Sequence, residues 1–174
     1  MSAPATTRFP NRVTERLGVE IPIVQAPMGW IARSQLASAV SEAGAMGIIE
    51  TSSGELDIIR DEIRKMRDLT DKPFGVNIAQ AFVRDPEIVS FVIDQGVRFV
   101  TTSAGSPTRY TAQLKDAGLT VFHVVPTLRA ALKAIRAPGV REKLEASTAT
   151  YAGGASSTLH LADWPPFLFC LAGV

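Results

Sequence analysis

Ser52-Ser53-Gly54-Glu55-Leu56-Asp57-Ile58-Ile59-Arg60-Asp61-Glu62-Ile63-Arg64-Lys65-Met66 leads, past Asp71-Lys72-Pro73, into Phe74-Gly75-Val76-Asn77-Ile78. The first half has the marks of a helix. Ser52-Ser53-Gly54-Glu55 matches a capping box, in which the serine oxygen accepts from an orphan backbone N–H and the glutamate reaches back. Leu56, Ile59, Ile63 and Met66 recur at helical spacing, while Arg60, Glu62, Arg64, Lys65 and Arg67 take the wet face. Asp71-Lys72-Pro73 ends the helix, and residues 74–78 read as a strand. A helix running straight into a buried strand is the unit of a parallel α/β fold.

The same unit recurs on both sides. Upstream, Ile21-Pro22-Ile23-Val24-Gln25-Ala26 reads as a first strand, entered through Gly18 and ended by Pro27. A helix over residues 34–42 follows, with Leu36, Val40 and Ala43 on one stripe and Gly44 placed to stop it. Met46-Gly47-Ile48-Ile49 is a short apolar strand of the non-alternating kind that parallel sheets bury. Downstream, Asp85-Pro86 opens a helix through Ile88, Val89 and Val92 to Gly96, and residues 98–102 form the next strand. Ser106-Pro107 opens another helix, with Tyr110, Leu114 and Ala117 before Gly118. Residues 120–125 are the fifth strand, and Thr127 caps a helix carrying Leu128, Ala131, Leu132 and Ile135.

The strands begin about 25 residues apart, as βα units do. A closed barrel needs eight such units, and an open doubly wound sheet shares the pattern. After Ala137 the pattern stops. Pro138-Gly139 is a breaker, residues 147–157 show no strand pattern, and Trp164-Pro165-Pro166 cannot sit inside a regular element. The expected division is a partial barrel domain over residues 1–137 and a divergent tail over 138–174, whose apolar end, residues 167–174, reads either as a buried terminal strand or, the reading favoured, as a segment with no evolved place in the fold.

Composition narrows the class of function. Apolar and charged fractions of 46% and 20% are those of an ordinary globular protein, and a net charge of +1 offers no pull toward nucleic acid or an acidic membrane. Cys170 is the only cysteine, which excludes an internal disulfide and argues against a cysteine-based zinc cluster. Neither a secretory signal nor an apolar run of about 20 residues is present, so the expectation is a reduced, cytoplasmic protein without a membrane span.

Barrels carry function at the carboxyl ends of their strands. Those ends read Gln25-Ala26-Pro27-Met28-Gly29-Trp30, Val76-Asn77, Thr101-Thr102-Ser103-Ala104-Gly105 and His123-Val124-Val125-Pro126-Thr127. Pro27 and Met28 also suit a strand-ending proline and a core methionine. Asn77 must find partners at the end of an apolar strand or cost about 1–3 kcal/mol, and holding a neighbouring loop would serve. Thr102 and Ser103 belong to a hydroxyl-rich loop that either faces substrate or caps its strand. His123 fits a pocket or a satisfied buried position equally.

Gln25-Ala26-Pro27-Met28, Asp71-Lys72-Pro73-Phe74-Gly75-Val76-Asn77, Thr101-Thr102-Ser103-Ala104-Gly105 and Val124-Val125-Pro126-Thr127 stand in the order and spacing of one family. Over about residues 14–135 the chain resembles the nitronate monooxygenases, once called 2-nitropropane dioxygenases, which include the flavin-dependent enoyl-ACP reductases. The resemblance implies FMN bound at the top of a (β/α)8 barrel of the TIM type, here its first five βα units. It implies that Ala26, Pro27 and Met28 lie along the flavin ring, that Met28 and Gly29 offer backbone N–H groups to it, and that Asn77 hydrogen-bonds it. Thr102, Ser103 and His123 become substrate-pocket candidates.

The implied activity is oxidation of a small alkyl nitronate with O2 to a carbonyl compound and nitrite. Enoyl-ACP reduction is the nearest alternative. In many members a histidine in a Gly-Gly-His setting after the sixth strand acts as base. Tyr151-Ala152-Gly153-Gly154-Ala155 has the glycines but no following histidine, and His160 does not inherit the role. The glycine-rich turns that hold the phosphate in the family are also missing. The expectation is therefore a truncated chain without an assigned base, with an inactive, flavin-free fragment as a further alternative. Open barrel edges would favour self-association.

Overall fold

The computed structural model describes residues 9–52, 55–125, 127–136 and 149–151. In chain order they form α1 (Arg12–Leu17), α2 (Ser34–Glu42), β1 (Gly47–Glu50), α3 (Leu56–Leu69), β2 (Phe74–Ala79), α4 (Ile88–Asp94), β3 (Phe99–Ser103), α5 (Thr111–Asp116), β4 (Thr120–Val125), α6 (Leu128–Arg136) and β5 (Ala149–Tyr151). The strands make one sheet in the order β1-β2-β3-β4-β5, each pair parallel. The α/β alternation legible in the sequence is therefore a parallel sheet with helical crossovers.

Four strands match their sequence signals to within a residue or two. The first does not. Of residues 21–26 only Val24 pairs, in a single parallel bridge with Met46. Pro22 and Pro27 have no N–H to give a ladder, and the Ile23 N–H turns back to the Ile21 carbonyl at 2.8 Å. The segment still docks beside β1, because Gln25 N–H reaches the Met46 carbonyl and Met46 N–H reaches that of Ile23, both at 2.9 Å.

Within the stretch 147–157, where no strand was expected, β5 pairs Ala149, Thr150 and Tyr151 with His123, Val124 and Val125. Three residues are too few to show a period. The remainder of the tail, residues 138–148 and 152–174, lies outside the described residues.

The helices correct the sequence reading in five places. α4 and α5 begin at Ile88 and Thr111, beyond Asp85-Pro86 and Ser106-Pro107, and their N-caps, Glu87 and Tyr110, make no side-chain cap bond. α1 had no expected counterpart. Asn11 accepts from the Val13 and Thr14 N–H groups at 2.9 and 3.2 Å, Thr14 answers through a hydrogen bond from Asn11 N, and left-handed Gly18 ends the helix. α3 begins at Leu56 with Glu55 as an N-cap that makes no side-chain cap bond. Ser52, expected to cap it, turns to Glu50 instead. α2 buries Ser34, Ala37, Ser38 and Ser41, leaving Leu36 and Val40 half-buried and Ala43 exposed.

That last reversal follows from close packing. A Cβ on Gly47 would lie 2.0 Å from the Ala37 carbonyl oxygen and 2.8 Å from Ser41 Oγ, so α2 rides directly on β1. Only a face of small residues allows this approach. Ser41 Oγ then donates to the Pro73 carbonyl at 2.8 Å, tying the helix to the start of β2.

Two apolar layers sandwich the sheet. On the helix side, Ile49, Val76, Ile78, Val100 and Val121 meet Ile59, Ile63, Met66, Val89, Val92 and Leu114. On the other face, Val24, Met46, Ile48, Phe99 and Phe122 meet Val13 and Leu17 of α1. Phe99 and Phe122 cross edge to face with centroids 5.0 Å apart, a contact worth about 0.5–1.5 kcal/mol beyond its buried area. Apolar residues on both faces are what a fully covered parallel sheet requires.

Candidate functional site

The inner face changes character toward the carboxyl ends of the strands. Ile48 lies below, in the apolar layer. Two residues on, Glu50 is paired in register with Asn77, and Asn77 with Thr101. Paired residues of parallel strands point to the same side, so these three form one polar row above the apolar floor. They are 1%, 2% and 4% exposed.

Asn77 ties the row to the end of β3. Its Nδ2 donates to Thr101 Oγ1 at 2.9 Å, with longer contacts to the Thr101 carbonyl at 3.2 Å and Ser103 Oγ at 3.3 Å. Among the described residues its Oδ1 receives only a long 3.4 Å contact from Ser103 Oγ. Thr51 Oγ1 anchors the Asn77 backbone by donating to its carbonyl at 2.8 Å. The amide hydrogens are thus spent within the protein, and the side chain's open capacity is as an acceptor.

Glu50 draws two loops onto the same end of the sheet. Its Oε2 accepts from Ser52 N at 2.7 Å and Ser52 Oγ at 2.8 Å. Its Oε1 accepts from Trp30 N at 3.2 Å and lies 3.4 Å from Arg33 Nε. Neither Glu50 nor Arg33 figured among the candidates from sequence. The available signal was an acidic residue ending the apolar run Met46-Gly47-Ile48-Ile49.

The loop 26–33 sits beside this carboxylate. Met28 N–H folds back onto the Ala26 carbonyl at 3.0 Å, so it is not the outward donor expected of it. The Gly29 N–H makes no hydrogen bond among the described residues, and a Cβ there would meet only Ser52 Oγ, at 3.7 Å. Pro27 supplies no N–H, and Ala26 is buried. Gln25 reaches the Ile48 carbonyl with Nε2 at 3.1 Å, while its buried Oε1 has no partner among the described residues.

The pocket candidates separate. Ser103 shares the inner face with Asn77. Thr102 and His123 are a cross-strand pair on the opposite face, in register with Ile78, which packs under the helices. His123 Nδ1 lies 2.8 Å from Thr102 Oγ1. Burial lowers its pKa from the ordinary 6.5, opposed by a backbone hydrogen bond with Gly105. His123 therefore stands as a neutral latch for the loop after β3, away from the polar row. Among the described residues no group of acidic, histidine and cysteine side chains suits a metal, and no helix is long and apolar enough to cross a membrane.

Parallel strands joined by helices, with buried polar groups gathered at the strand carboxyl ends, are the mark of α/β barrel scaffolds, which hold their sites there. Residues 11–88 match the family model of nitronate monooxygenase. The solved structure of FabK from Thermotoga maritima superposes with a TM-score of 0.68 at 40% identity, covering 75% of this chain and 42% of that one. Nitronate monooxygenase of Pseudomonas aeruginosa is 46% identical over 68 residues, 39% of this chain and 19% of that protein. A longer match is (3aS,4S,5R,7aS)-5-hydroxy-7a-methyl-1-oxo-octahydro-1H-indene-4-carboxyl-CoA dehydrogenase of Mycobacterium tuberculosis, 37% identical over 124 residues, 71% of this chain and 34% of that protein. The chain thus spans about a third or less of the length of these curated relatives.

Proposed function

We propose that this chain carries the flavin-facing strands of an FMN-dependent oxidoreductase built on the first units of a (β/α)8 barrel, acting on alkyl nitronates with O2. The observation that carries this reading is the buried row Glu50-Asn77-Thr101 beside the backbone of Gly29. A flavin ring presents both donors and acceptors along its edge. Asn77 Oδ1 has acceptor capacity to spare and the Gly29 N–H has no partner among the described residues, so the two supply the acceptor and the donor that such an edge calls for. The phosphate has no comparable cradle among the described residues.

When bound, flavin supplies the electron acceptor that the side chains themselves lack. The chain's own part is to hold and orient. Asn77 is fixed by Thr101 and Ser103 before any ligand arrives, so its acceptor needs no reorganisation. Ser103, on the same face and 3.3 Å from the Asn77 amide nitrogen, is the substrate-pocket candidate that lies beside this row. His123 lies on the far face and takes no proton-transfer role here.

A second reading is favoured by the longer alignment to the CoA dehydrogenase, 71% of this chain against 39% for the nitronate monooxygenase. Under it the same cofactor site serves an acyl-thioester substrate. One experiment separates the two. FMN-loaded full-length chain is mixed with an alkyl nitronate, then with a CoA thioester and NAD(P)H, following oxygen uptake and flavin absorbance. Oxygen uptake with nitrite release supports the first, and flavin turnover that requires the thioester, above any seen with NAD(P)H alone, the second. A chain that retains no FMN would sink both.

A further inference from the structure

Glu50 is an expensive residue to bury at the end of a strand, since a carboxylate taken out of water must be repaid by partners. It has them on both oxygens. Oε2 takes the N–H and the hydroxyl of Ser52, and Oε1 takes the Trp30 N–H and faces Arg33 Nε. The contacts come from two loops, the one after the first segment and the one after β1. No other described side chain joins them through both oxygens in this way.

What Glu50 holds is a strained backbone. Trp30 has φ +64, a left-handed conformation that a bulky side chain adopts only when its surroundings over-determine it. The residue is 76% exposed, so burial of the indole does not impose the conformation. The imposed part is the backbone: Trp30 N–H to Glu50, with Ile31 and Ala32 N–H groups closing onto the Met28 carbonyl at 3.2 and 2.8 Å. Arg33, 5.7 Å over the indole ring and paired with Glu50, closes the turn from the other side. Gly29 lies immediately before the strained residue and against Ser52, which the same carboxylate fixes.

We infer that Glu50 is a positioning residue: it sets the backbone of residues 28–30 so that the Gly29 N–H faces the cofactor. This rests on the flavin reading of the site, and it adds a group that never touches the ring. The chemistry selects a carboxylate. Both oxygens accept, whereas the amide of a glutamine would accept on one side and set its NH2 against either the Ser52 or the Trp30 N–H. An aspartate keeps both acceptors on a shorter stem.

The test uses the full chain, free and with FMN, comparing wild type, E50Q, E50D and S52A, with N77A as a reference for cofactor binding. Amide exchange of the free protein should rise at Trp30 and Ser52 in E50Q while β2 and β3 amides stay protected. FMN Kd should rise about tenfold, equivalent to about 1.4 kcal/mol, with a shifted flavin absorption band; E50D should recover part of both. S52A, which removes one hydroxyl and spares the fold, should give a smaller change in the same direction. Unchanged exchange in E50Q overturns the clamp. Faster exchange with unaltered FMN affinity, where N77A does weaken binding, overturns the positioning role and leaves the flavin reading standing. Absence of FMN binding by the wild type sinks the flavin reading and the cofactor half of this inference together, the exchange data still deciding the clamp.

Discussion

The Glu62 carboxylate of α3 accepts both the backbone N–H and the hydroxyl of Ser34, at 2.9 and 2.7 Å, and so caps α2 from a neighbouring helix. The residue before the helix, Arg33, makes no side-chain cap bond of its own. An orphan N–H at a helix start is thus satisfied by tertiary structure, and the negative charge sits at the positive end of the helix dipole. Lys65 completes the arrangement at 2.8 Å.

Acid should therefore act on Glu62. Burial by itself raises its pKa, but the hydrogen bonds from Lys65 and Ser34 outweigh that and bring it down from 4.5 to about 2. A carboxyl depressed in the folded state stabilises above its unfolded pKa and loses that contribution as pH falls through the folded one. The window is pH 4.5 down to about 2, and the contribution at stake is on the order of 2–3 kcal/mol. Denaturant melts of wild type and E62Q across this range should converge at low pH. Parallel curves would contradict the assignment.

His123 should add a separate loss at milder acidity. Its pKa is lowered by burial, so the unfolded chain takes up a proton more readily, and stability declines as pH falls below 6.5. H123Q should flatten the profile between pH 6.5 and the onset of the Glu62 window. An unchanged slope there would show that the histidine is not held neutral.

Gly47→Ala should be severely destabilising although the residue sits in an ordinary strand. Its Cβ would lie 2.0 Å from a backbone oxygen of α2, which cannot move aside as a side-chain tip can. The expected cost is about 3 kcal/mol, read as a lower denaturation midpoint with unchanged m-value. Gly118→Ala, with open space around it but a positive φ, should cost about 1 kcal/mol.

Thr101→Val tests the polar row with almost no change in shape. It removes the 2.9 Å acceptor of Asn77 Nδ2 and leaves that amide relying on the longer contacts. A loss of about 1 kcal/mol in stability is expected, with weaker FMN retention. Lower stability with intact FMN retention would make the row purely structural.

The sequence revealed the fold through features that are local. Ile59, Ile63 and Met66 sit on the buried face their spacing predicts, and Thr127 caps its helix through the Ala130 N–H at 3.1 Å. Features set by long-range partners were hidden. Glu62 reads as a surface charge until Ser34 is brought across from 28 residues away, and α2 reads as burying Leu36 until Gly47 admits its small face. Likewise Asn77 and Thr101 are legible as strand ends, but Glu50 joins them only through register. Alternation also divides residues that sequence proximity had grouped: Ser103 falls with Asn77, and Thr102 with His123 on the other face.

The most direct measurement is an FMN titration of the full-length wild-type chain beside N77A, followed by flavin absorbance and by equilibrium dialysis. Saturable binding of one FMN per chain, weakened about tenfold in N77A, is the result the polar row predicts. No binding, or equal binding by both proteins, would contradict a flavin site at Asn77.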